Sequence, residues 1–197
     1  MNANSIAINT AALKSIRLGC ADKDVRYYLK GVLFSCDGKT LRLTSSNGHI
    51  LLTHTKSLDE SVEPFEIIVP SESVDVAIKL TGKALVLRLD ITEDGKYTLA
   101  GIPITPIDGR YPKAENIWPK PEVMDGKPCT VNPEYFSIVG KVSKLMGVGV
   151  AGAEFWHDSG KLVFQSGDID SATGTVRGLI MGLRTSSNHT SDTLPNF

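Results

Sequence analysis

Between residues 85 and 91 the apolar positions Leu85, Leu87, Leu89 and Ile91 alternate with Val86, Arg88 and Asp90, the period-two signature of a strand with one buried face. Elsewhere the period lengthens. "AINTAALKSIRLG", "IVPSESVDVAIKLTG" and "TVNPEYFSIVGKVSKLMG" share one grammar: a short β-like start, a capping or turn residue, an amphipathic helix and a glycine near its end. Asn9 or Thr10, Ser71 with Glu72, and Asn132 followed by Pro133 mark the helix starts, because they satisfy or dispense with first-turn amides. Gly19, Gly82 and Gly147 fall near the ends. The turn signals "DGKT" (37–40), "EDGKY" (93–97) and "DSGK" (158–161) each separate two β-like runs. The chain therefore reads as α+β, in three βα-plus-sheet units at about 5–60, 64–112 and 129–185. "YPKAENIWPKPEVMDGKP" is a Pro-rich linker before the third, and "TSSNHTSDTLPNF" is a polar tail.

The polar helix faces carry the first functional signal. On the third helix Tyr135, Ile138, Val139, Val142, Leu145 and Met146 form the apolar stripe, and Glu134, Ser137, Lys141 and Lys144 the opposite face. The first helix repeats the plan, with Leu13 and Ile16 inward and Lys14 and Arg17 outward. The second departs from it, since Glu72 and Asp75 accompany Lys79. One such face reads as solvated surface. Its recurrence in two units of a chain that is not basic overall points to a surface for phosphates.

At 197 residues the chain can bury a sizeable core but is short for two full domains. A formal net charge of -1 excludes coating nucleic acid through bulk positive charge and leaves room for a local basic surface. Cys20, Cys36 and Cys129 are odd in number, widely spaced and without zinc-site spacing, which fits a reducing cytoplasm. No apolar run reaches membrane-spanning length, and "MNANSIAINT" lacks the blocks of an export signal, so no membrane partner is expected. The sequon at Asn188 then reads as accidental. His49, His54, His157 and His189 sit in no nucleophile or metal spacing. "GDIDSATG" offers Asp168 and Asp170 but lacks the third ligand, the placed glycine and the terminal glutamate of a calcium loop, and reads as a hairpin turn. No enzyme, cofactor or metal is expected.

Four phrases, "DVRYYLKGVLF", "SSNGHILL", "IIVPSESVDVAIKL" and "IDGRYPKAENIWPK", resemble in order and spacing the middle domain of the bacterial DNA polymerase sliding clamp, the β subunit of DNA polymerase III. This resemblance covers about residues 8–120. The rest is similar to the second half of the clamp's last domain, with Met181, Gly182, Leu183, Arg184 and Thr185 matching its terminal strand. The resemblance implies a DNA clamp fold of repeated βαβββ units, helices lining a ring and sheets outside it. It implies a clamp domain of two units at 1–120 and a half-domain at 121–197, loose from about 185.

In function, the resemblance implies a non-enzymatic processivity factor that holds duplex DNA without reading its sequence and tethers polymerase or other replication proteins. Lys14, Arg17, Lys141 and Lys144 would face the duplex, joined by Lys23, Arg26 and Tyr27 on a loop that touches DNA in the family. A peptide pocket would be walled by Leu29, Ser46, Gly48, His49, Leu51, Pro112, Ile117, Leu179, Met181 and Leu183. A mostly apolar wall with a flexible methionine suits several related peptides.

The chain departs from the family where Ile50 and Asn116 replace basic positions and Gly182 replaces a proline. Three units instead of six imply, by arithmetic, a homo-oligomer of four chains per ring, with the unpaired third units joining across chains. The compact size suggests a phage or mobile-element origin. The alternative function is a clamp-like decoy, inhibitor or adaptor that binds clamp-directed peptides without encircling DNA.

Overall fold

A computed structural model describes residues 4–92, 94–118, 130–147, 152–158, 160–167 and 174–183. The first unit is β1 (Asn4–Asn9), α1 (Thr10–Arg17), β2 (Gly31–Cys36), β3 (Thr40–Ser46) and β4 (Ile50–Ser57). The second is β5 (Phe65–Pro70), α2 (Ser71–Thr81), β6 (Val86–Ile91), β7 (Tyr97–Leu99) and β8 (Ile102–Ile104). The third comprises α3 (Glu134–Leu145), β9 (Glu154–Asp158), β10 (Lys161–Gly167) and β11 (Thr175–Met181). This mixture of helices and antiparallel sheets is an α+β fold.

Short polar side chains set the boundaries. Asn9 Oδ1 accepts the Ala12 amide at 3.0 Å, and Asn132 Oδ1 accepts that of Glu134 at 3.0 Å, each relieving a first-turn donor. At the β2–β3 turn Asp37 Oδ1 accepts the amides of Lys39 and Thr40 at 2.9 and 2.8 Å. Two expectations need correction. Ser71 does not cap α2: it is the first helical residue, and Pro70 before it caps without a side-chain bond. Leu85 is not part of the buried alternation, because it precedes β6 with its side chain exposed, its carbonyl accepting the Thr10 amide at 2.9 Å.

Two sheets result, one in the order β1-β6-β7-β8 and one in the order β5-β2-β3-β4-β11-β10-β9. The first two units exchange their leading strands. Antiparallel β1 lies on β6 with Asn9 opposite Val86, and β5 lies on β2 with Pro70 opposite Gly31. The third unit joins through β11, which pairs with β4 so that Leu179 faces Leu51.

The three helices pack against the sheets, with α1 against both α2 and α3. Leu13 and Ile16, Val74 and Ala77, and Val139 and Val142 meet Phe34, Leu43, Leu52, Leu89, Phe164 and Ile180 in one core. Each large apolar side chain buried there contributes about 1.5–3 kcal/mol. Two smaller clusters are separate from it, one at Leu29, Leu33, Ile68 and Tyr111 and one at Leu51, Val163 and Leu179. The second of these carries the candidate site.

Candidate peptide cleft and nucleic-acid face

The β3–β4 turn is built from its own polar groups. Asn47 Oδ1 accepts the amides of His49 and Ile50 at 2.9 and 3.0 Å. Ser46 Oγ donates to the Ile50 carbonyl at 2.8 Å and accepts from the Gly48 amide at 3.0 Å. Gly48 has φ +89, so the backbone requires glycine, and a Cβ there would stand 2.6 Å from the Arg26 guanidinium, which would have to shift. From the other side the Met181 amide donates to the His49 carbonyl at 2.7 Å, fastening the end of β11 to the turn. Beyond it, Gly182 and Leu183 donate to the carbonyls of Gly160 and Thr130, each at 2.7 Å. A proline at 182 could not make the first of these bonds.

Register then lines up the apolar wall. Val163 on β10, Leu179 on β11 and Leu51 on β4 stand opposite one another across three strands. Met181, Ile117, Trp118 and Ala114 pack against them. Lys161 Nζ donates to the Ile117 carbonyl at 3.0 Å, holding the segment after β8 against β10. Of the residues expected in the pocket, Leu51, Ile117, Leu179 and Met181 converge directly, and Ser46, Gly48 and His49 form the adjoining turn. The His49 ring stacks on Tyr135 with centroids 6.3 Å apart.

The other expected residues stand apart. Leu29 belongs to the separate cluster around Tyr111, whose hydroxyl accepts the Ser46 amide at 2.8 Å. Pro112 lines a neighbouring cleft of 820 Å³ with Leu33, Arg42, Glu66 and Arg110. Leu183 is exposed beyond the end of β11. Sequence reading missed Val163 and Trp118. The tryptophan adjoins Ile117 and its bulk was a usable signal, whereas Val163 needs the β10–β11 register.

On the helix side Lys14 is half-buried, and Lys141 and Lys144 are exposed on α3. None of the three has a carboxylate partner among the described residues. Arg17 differs. Its Nε and Nη2 donate to the two carboxylate oxygens of Asp75 on α2 at 3.0 and 2.9 Å, with Asp22 at 3.8 Å. Burial opposes the Arg17 charge, but the Asp75 hydrogen bond and the surrounding negative groups raise its pKa overall. The outward cation expected on α1 is thus paired with the acidic face of α2.

On the loop after α1, Arg26 is similarly engaged: it donates to both oxygens of Asp24 at 3.0 and 2.7 Å. That side-chain hydrogen bond, with the Arg26 amide, holds the Asp24 carboxyl well below the usual range. Lys23 and Tyr27 are exposed beside it.

Among the described residues no group of three His, Cys, Asp or Glu could hold a metal. Asp168 and Asp170, with Arg184 and Thr185 of the terminal match, lie outside the described residues. Cys20 and Cys36 are free and buried, and burial pushes the Cys20 thiol up to about 12. No described helix is long and apolar enough to cross a membrane.

Known proteins resemble this chain in sequence and in fold, and the latter is the DNA clamp fold. The beta sliding clamp of Salmonella typhimurium is 32% identical over 112 residues, 55% of this chain and 31% of its own. That of Escherichia coli K12 is 30% identical over 112 residues, with the same coverage. The chain thus spans 31% of the length of these curated relatives. Among solved structures, the Helicobacter pylori beta clamp aligns with a TM-score of 0.70 at 14% identity, over 94% of this chain and 68% of that one. The DNA polymerase III beta chain of Streptococcus pneumoniae aligns at 0.65 and 15% identity, over 94% and 66%. At such identities these structures speak for the fold. The sequence match is more specific, because the family model for the DNA polymerase III beta subunit, central domain, covers residues 7–113, more than half of the chain. The chain belongs to that DNA polymerase III beta subunit family.

Proposed function

We propose that this chain is a sliding clamp-like processivity factor of the cytoplasm. In this reading residues 1–120 act as a clamp domain and 121–197 as a half-domain, and several copies assemble around duplex DNA. They hold its phosphates through Lys14, Lys141, Lys144 and the Lys23–Tyr27 loop, without base readout. Polymerase or other replication proteins dock a short apolar motif in the cleft at Leu51, Ile117, Leu179 and Met181. The sliding clamp family is non-enzymatic, and no reaction is assigned to this chain.

The observation that carries the reading is the bond from Met181 to His49, which brings a strand of the third unit and the first unit's turn together over one apolar wall. A cleft between repeats, apolar and edged by backbone polar groups, is what an extended peptide needs. The test is retention on nicked circular DNA. A topologically closed clamp stays bound and is lost on linearisation; equal loss from both substrates overturns the encircling role.

A second reading has its own support. The Arg17–Asp75 pair removes one cation from the helix surface, which suits an adaptor or decoy that binds clamp-directed peptides without encircling DNA. Binding of a fluorescent clamp-binding peptide by a protein that never stays on the nicked circle would select it.

A further inference from the structure

The two complete units provide a template for the third. Each strand leading into a helix lies across the other unit's first strand after its helix, β1 on β6 and β5 on β2. Each covers the apolar residues at the start of the opposite unit. In the third unit β9 forms the outer edge of the seven-stranded sheet, with no strand beside it among the described residues.

The side chains there are those the template buries. Four residues after its capping asparagine, α1 places the fully buried Leu13; four after Pro70, α2 places the fully buried Val74. Four residues after Asn132, α3 places Phe136, 44% exposed. On β2, Phe34 lies between Leu43 of β3 and Ile67 of β5 and is fully buried. On β9, Phe155 has Phe164 on one side only and is 44% exposed. The rings of Phe136 and Phe155 lie 5.9 Å apart, so helix and strand present one aromatic patch. An open strand edge beside such a patch is a place for association.

We propose that this edge and patch form an interface with the same surface of a second copy of the chain. The inference deepens the reading of an assembling clamp and rests on it only for taking a like unit as the occupant. The missing partner is the segment that leads into α3, and its described residues Thr130 to Asn132 are fastened at Thr130. In the first unit the carbonyl two residues before the capping asparagine, Ala7, accepts Lys56 Nζ of β4 at 2.9 Å. In the third the corresponding carbonyl, Thr130, accepts the Leu183 amide just past β11 at 2.7 Å. Exchange about a two-fold axis then pairs both copies at once, as a self-complementary contact requires. The template also fixes the register. Asn9 opposes the first residue of β6 and Pro70 the first residue of β2, so Asn132 opposes Glu154 of the partner, and Thr130 opposes Trp156.

The test uses the full 197-residue chain, with and without duplex DNA. Sedimentation velocity is expected to show a dimer or larger assembly. The double variant Phe136→Asp, Phe155→Glu is expected to shift it to monomer while keeping its circular dichroism spectrum. Independently, Thr130→Cys with Trp156→Cys, in a Cys129→Ser background, is expected to form an intermolecular disulfide on mild oxidation, since opposed antiparallel residues lie within disulfide reach. A monomer at every reachable concentration, or an assembly that ignores the double variant and forms no such crosslink, overturns the proposal. Should the double variant fail to fold, the crosslink alone decides. Peptide binding measured on the same samples keeps the two ideas apart: a monomer that binds peptide defeats only the interface, and a dimer that binds neither peptide nor DNA defeats only the clamp reading.

Discussion

The Met181 amide lies 2.7 Å from the His49 carbonyl, and this main-chain bond leaves the methionine side chain free to face the row formed by Val163, Leu179 and Leu51. Because the bond uses no side-chain atom, Met181→Ala keeps the strand in place and removes only the flexible apolar surface. Affinity for a clamp-binding peptide is expected to fall by about 1–3 kcal/mol, the range for an anchor contact, with little change in thermal stability. Fluorescence anisotropy reads the affinity directly. Unchanged binding would move the anchor elsewhere.

The Arg17–Asp75 pair gives a prediction of opposite sign to the usual charge deletion. Asp75→Asn keeps the shape but removes the negative partner, so Arg17 becomes available to phosphate. DNA affinity is expected to rise, and the slope of log affinity against log salt to steepen by about 0.9, one phosphate contact. Lys141→Ala and Lys144→Ala are each expected to flatten it by about the same amount. A slope that ignores all three substitutions would remove the helices from the DNA-binding surface.

The repeat was legible in the sequence because it rests on local chemistry: capping asparagines, turn aspartates and the change of period from helix to strand. The exchange of β1 and β5 was not, since a strand's own residues do not say which unit it pairs with. The same limit applies to the cleft. Leu51, Leu179 and Met181 were found through resemblance, while Val163 joins them through the β10–β11 register alone. Arg17 was correctly placed on the polar face of α1, but its carboxylate partner lies 58 residues away on another helix, and only the packing of α1 against α2 brings them together.

Tyr111 links the segment after β8 to the turn that forms the cleft. Its hydroxyl is buried and accepts the Ser46 amide at 2.8 Å, and burial pushes its pKa far above the ordinary tyrosine value, so it stays protonated. Tyr111→Phe retains the ring and strands a buried donor, at an expected cost of about 1–3 kcal/mol. Urea unfolding measures it. A loss near zero would mean that Ser46 finds another acceptor.

His54 gives the fold a pH dependence near neutrality. It sits on β4 with Nδ1 2.8 Å from the Thr175 carbonyl of β11, at the junction between the first and third units. Burial lowers its pKa below the ordinary 6.5; the Thr175 carbonyl opposes the shift and Lys56 adds to it. Above 6.5 the imidazole is neutral in folded and unfolded chains alike, and its contribution is complete. As pH falls below that value the unfolded chain takes up the proton first, so it binds more protons than the folded one and stability declines. The decline ends once pH has passed the lowered folded pKa. The urea midpoint is therefore expected to drop between about pH 7 and 5, and His54→Gln to drop less over the same range whatever its starting stability. Parallel curves for the two proteins would show that the imidazole titrates equally in both states and that the β4–β11 junction does not sense pH through it.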